Sequence, residues 1–109
     1  MIGTPGQIDW AEQIKPRVAA DFDRVANAFR AVAVTQASQE RDETLAIIGI
    51  LEEKRAEVLA NRSAGYFLKQ WRDLNDQVRL LLAADPRYQA IVEQRAQRKN
   101  PHQPDGTQR

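Results

Sequence analysis

Trp10, Ile14, Val18, Phe22, Val25, Phe29 and Val32 recur at spacings of four, four, four, three, four and three. Apolar side chains at those intervals line one face of an α-helix. The row crosses Pro16 without losing phase. It predicts one long first helix from about Trp10 to about Thr35, kinked near Pro16 because an interior proline removes a backbone hydrogen bond and crowds the preceding turn. Asp9 offers an N-cap for it, with Glu12 three positions on. At 1.5 Å of rise per residue this helix spans about 35 to 40 Å.

A second periodic segment follows Ser38, which is placed to cap it and is trailed by Glu40, Asp42 and Glu43. This helix extends to about Asn61, with an inner face of Thr44, Ile48, Leu51, Arg55 and Val58 flanked by Leu45, Ile47 and Leu59. Ile50 points away from that face and is expected as a single exposed apolar residue. Gly49 is an interior glycine, either a point of close backbone approach or a tolerated cost. Arg55 sits amid the apolar face, either snorkelling into water or fixing register through an ion pair.

The third helix, about 64 to 83, carries Phe67, Trp71, Leu74, Val78 and Leu81, opened by Ser63 or set off by Gly65. Leu68 and Leu80 fall well outside that cluster, and Tyr66 lies nearer Leu80. A helix apolar on two sides is central in its bundle or meets a second subunit, so Leu68 and Leu80 are expected to be covered. Asp85-Pro86, an N-cap followed by proline, opens a fourth helix of about 86 to 98 presenting Tyr88, Ile91, Val92 and the stem of Arg95.

The fold expected is therefore all-α: an elongated antiparallel bundle of three to four helices occupying residues 9–98. Residues 1–8 read as a flexible lead-in and residues 99–109, with two prolines, a glycine and no apolar side chain, as a disordered tail. At 109 residues the chain is one small domain, and short helical domains often supplement their cores by pairing.

Charge changes this picture little. Sixteen basic residues face fifteen acidic ones, so no global field draws the chain to nucleic acid or membranes. There is no cysteine, which removes disulfides, thiolate metal sites and cysteine nucleophiles from consideration. No secretory signal or bilayer-length apolar run is present, and a cytoplasmic protein is the expectation. His102, the one histidine, lies between prolines in the expected tail and has no oriented partner for a triad or metal site. The carboxylates of the second helix alternate with Lys54 and Arg55 as on a solvated face. No catalytic, cofactor or metal site is expected.

These features favour a small non-enzymatic protein–protein interaction module, self-associating or docking a partner through apolar helix faces. Its interface candidates are Trp10, Phe22, Phe29, Tyr66, Leu68, Trp71 and Leu80, with Leu74 among the larger contributors of area. The competing expectation is nucleic-acid binding through Arg62, Lys69, Arg72, Arg79, Arg87, Arg95, Arg98 and Lys99. Asp73 and Asp76 interrupt that basic stripe, and a net charge of +1 is low for phosphate binding.

Overall fold

The computed structural model describes residues 1–72 and 76–99. They form five α-helices, and among the described residues there is no strand. The helices are α1 (Pro5–Ala33), α2 (Ser38–Leu59), α3 (Ala64–Gln70), α4 (Gln77–Ala83) and α5 (Pro86–Lys99). The molecule is long and narrow, 63 × 30 × 19 Å.

α1 starts five residues before its expected position. The Thr4 hydroxyl accepts from the Gln7 amide at 3.2 Å, and the Gln7 side chain accepts from the Thr4 amide at 3.0 Å. With Pro5 at the first helical position, this capping box satisfies orphan amides that Asp9 would have served one turn later. The preceding residues are tied down: Ile2 exchanges backbone hydrogen bonds with Arg62 and Ala64 at the α2–α3 junction. Gly3 makes that approach possible. Its φ is +150°, and a Cβ there would stand 2.9 Å from the Ala64 Cβ.

The helix runs through Pro16 without interruption. Glu12, whose carbonyl loses its donor there, and Pro16 are both exposed, so water can complete the bonding.

Ile14, Val18, Phe22 and Val25 are buried as the apolar row requires, but the row's ends are not: Trp10 is 55% exposed and Val32 49%. The buried stripe is completed instead by Ala11, Ala26 and Ala33. At about 100° per residue, Trp10 lies a quarter-turn from Ala11, off the centre of the stripe. Alanine lets neighbouring helices come close, and the larger side chains beside it remain outside.

α2 returns along α1. The pairs Arg30–Glu52 (2.8 Å) and Asp23–Arg55 (3.2 Å) run in opposite directions along the two helices. Ala37, not Ser38, occupies the cap position, and it provides no side-chain hydrogen bond. Arg41 instead closes the turn from the other side, its guanidinium donating to the carbonyls of Ala33 (3.3 Å) and Gln36 (3.0 Å). Gly49 is exposed with open space around it, so no helix backbone approaches there. Arg55 is part-exposed and paired with Asp23, between the two arrangements its sequence context allowed.

The expected third helix is two helices. α3 ends at Trp71, and α4 is opened by Asp76 in the left-handed conformation, φ 55° and ψ 25°. Asp76 suits that position: a short polar side chain competes for backbone hydrogen bonds and tolerates the left-handed region. Ser63 caps α3 through the Tyr66 amide, 3.3 Å. Phe67, Trp71, Val78 and Leu82 enter the core; Leu81 is half-buried, and Leu74 lies outside the described residues. Trp71 packs on Phe22 with ring centroids 5.7 Å apart, and its indole N–H donates to the Tyr66 oxygen at 3.1 Å. α5 begins as expected, Asp85 accepting from the Arg87 amide at 2.8 Å. It includes Lys99; the rest of the expected tail, with His102, is outside the described residues.

Candidate interaction surfaces

Folding divides the seven apolar interface candidates. Phe22 and Trp71 are buried to 1% exposure and belong to the internal core, so they are not available to a partner of the folded chain. Phe29, Tyr66 and Leu68 are half-buried against that core. Only Trp10 and Leu80, at 55% and 61% exposed, stand in solvent. Within one chain Leu68 is thus covered and Leu80 is not, which leaves Leu80 for the second of the two expected covers, a subunit contact.

A further apolar surface was not singled out from the sequence. Residues 31–39 carry no charge in a chain where 28% of residues are charged, and they span the end of α1, the turn and the start of α2. Val32 and Val34 are exposed on this hairpin tip, and Leu45 is exposed further along α2, past Glu40, Arg41, Asp42 and Glu43. The Thr44 hydroxyl donates to Gln36 Oε1 at 2.6 Å, which places the first turns of α2 beside the α1–α2 connection. The absence of charge over this span was the available signal.

The basic candidates divide as well. Arg87 donates to Glu53 on α2 at 2.9 Å and to both oxygens of Asp85, which also receives Lys54 Nζ at 3.0 Å. The Arg87 guanidinium first, then Lys54 and the Arg87 amide, hold the Asp85 carboxyl far below the usual range, against the upward push of its burial. Asp85 and Glu53 in turn raise the Arg87 pKa. Arg95 and Arg98 converge on Glu43, at 3.0 and 2.7 Å. Those two guanidinium groups, Arg98 foremost, hold the Glu43 carboxyl down to about 2. Arg95 reaches further, to the Thr44 hydroxyl at 2.7 Å and the Glu40 carbonyl at 2.9 Å. Three of the eight basic candidates thus bind the protein's own carboxylates.

Arg62, Lys69, Arg72, Arg79 and Lys99 are exposed and form no ion pair among the described residues. They do not share one helix: Arg62 precedes α3, Arg72 follows it, and Arg79 lies on α4.

Two grooves are small and open. One of about 190 Å³ runs between α1 and α2, lined by Phe22, Ala26 and Leu51 and crossed by the Arg30–Glu52 and Asp23–Arg55 pairs. Another of about 170 Å³ lies among Lys54, Val58, Tyr66 and Leu81. Among the described residues, no three metal-ligating side chains converge, and no helix is long and apolar enough to cross a membrane.

The chain matches no protein-family model, no curated protein and no solved structure with which it was compared.

Proposed function

We propose that this chain is a small non-enzymatic interaction module, an elongated antiparallel helical bundle that self-associates or docks a protein partner through apolar side chains. The observation that carries the reading is the hairpin tip, where Val32 and Val34 are 49% and 78% exposed within residues 31–39, a stretch of sequence without a charged residue. Exposed apolar side chains favour contact with another apolar surface over water, by about 25 cal/mol per Å² removed from solvent. Trp10 and Leu80 supply further apolar area elsewhere on the surface. A half-exposed tryptophan is well suited to anchoring an interface, since it contributes large area at low conformational cost.

The nucleic-acid reading is weaker, because Arg87, Arg95 and Arg98 are held in ion pairs that phosphate would have to displace.

Light scattering coupled to size-exclusion chromatography tests the proposal over low to high micromolar concentration. The expected result is a mass that rises above that of one chain with concentration, and that falls back in Val34→Asp and Trp10→Ala. A single-chain mass at every concentration, together with a salt-sensitive gel shift on nucleic acid, would replace this reading with the other.

A further inference from the structure

α5 is attached differently from every other long helix. It has no fully buried residue; only Tyr88, Ile91 and Arg95 are half-buried. Its attachment to α2 is made at two charged ends. At one, Asp85 and Arg87 meet Lys54 and Glu53; at the other, Arg95 and Arg98 meet Glu43. Arg87 pairs with Glu53 and Arg95 with Glu43, so the two helices run in opposite directions, with Tyr88 and Ile91 between the charged ends.

The residues of α2 between those ends are Ile47 and Ile50. With Glu43 and Lys54 they form one stripe at intervals of four, three and four. That stripe lies about 100° round the helix from the Ile48, Leu51 and Arg55 stripe that meets α1. Ile50, only 6% exposed, therefore owes its burial to the side of α2 on which α5 lies.

The two ends are unequal. At the Asp85 end α5 is joined through the chain to α4, and the buried Asp85 carboxylate is locked by both Lys54 and Arg87, although Arg87 itself is 56% exposed. At the other end α5 is held on α2 by the side chains of Arg95 and Arg98, 24% and 35% exposed. Ion pairs that reach solvent are screened by salt, and the chain connection is not.

We propose that α5 is an electrostatically latched strap, hinged at Asp85, that opens from its Arg95–Arg98 end and uncovers Ile47 and Ile50 while the α1–α4 core stays folded. The latch is the convergence of two guanidinium groups on Glu43. It extends through Arg95 to the Thr44 hydroxyl and from there to Gln36 at the hairpin turn. Ionic strength sets how often the strap opens.

The chain contains no cysteine, so a single introduced thiol reports opening at a chosen place. Ile50→Cys lies under the strap; Val18→Cys, at a position 0% exposed on α1, reports only unfolding of the core. Thiol labelling of each full-length variant is followed as NaCl rises from about 0.1 M to about 1 M, which shortens the screening length from about 10 Å to about 3 Å. The expected result is labelling of Ile50→Cys that speeds up about tenfold while Val18→Cys remains slow. Adding Glu43→Gln to Ile50→Cys is expected to give the fast rate already at low salt. Equal salt dependence at the two positions, or none at Ile50→Cys, would overturn the strap, as would an unchanged rate in the Glu43→Gln background with the core still protected.

Discussion

α1 and α5 are both amphipathic helices on the same core, yet they are held by different forces. α1 lays Ala11, Ile14, Val18, Phe22, Val25 and Ala26 into the interior at 4% exposure or less. α5 lays in none so deeply and instead brings three arginines to carboxylates of α2 and to Asp85. Burial of apolar area is insensitive to ionic strength in this range and acts along the whole helix, whereas ion pairs act at points and are screened. The contrast teaches that helical content alone does not describe how firmly a helix is attached. The α1 face is a structural seam; the α5 face is one that solution conditions can loosen.

The largest test of the comparison acts on the apolar side. Phe22→Ala removes a ring that packs on Trp71 and is expected to lower the unfolding free energy by about 3–5 kcal/mol in urea titration. On the charged side, Asp85→Ala removes the α5 N-cap and is expected to cost about 1 kcal/mol, measured the same way. Arg95→Ala is expected to lower the midpoint less than Phe22→Ala, and by an amount that shrinks in high salt. The Phe22→Ala loss is expected to remain.

Acid sharpens the same contrast. The folded-state pKa of Glu43 is lowered to about 2 from an ordinary value of 4.5, so its contribution is fully present above about pH 4.5 and is lost as pH falls toward 2. Asp85, also lowered, contributes above its ordinary 3.8 and loses that contribution as pH falls below it. Carboxyl titration followed by NMR is expected to place Glu43 near 2 in the native chain and to return it toward 4.5 when Arg95 and Arg98 are both replaced by alanine.

The smallest effect has the opposite sign. Gly49→Ala fills open space on an exposed face of α2 and is expected to stabilise by about 0.5–1 kcal/mol, seen as a rise of several degrees in the melting temperature.

The apolar period of α1 and α2 was legible because burial against a single neighbour leaves a clean 3.6-residue pattern. Ile50 was misread for the converse reason: it faces a second neighbour, and periodicity on one face says nothing about a helix arriving on another. Trp10 heads the apolar row yet stands outside the core, because the alanines beside it enter more closely than an indole can. The α3–α4 break has its described sign in Asp76, but the apolar phase of Phe67, Trp71 and Val78 continues across it and hides the interruption. Thr4-Pro5-Gly6-Gln7 held the α1 start in plain sight, a cap overlooked because the glycine and proline suggested a loose end. Of the candidate surface, Trp10 and Leu80 could be named from sequence. The tip could not, since Val34 lies beyond the helical row and its exposure depends on where α2 turns back.

Residue-resolved native-state hydrogen exchange in low denaturant tests most directly whether the two faces differ in kind. The expected result is that amides of α1 from Ile14 to Val25 exchange only through global unfolding, while those of α5 exchange through a smaller opening whose free energy falls with added salt. A single common opening free energy for α1 and α5, unmoved by salt, would contradict it.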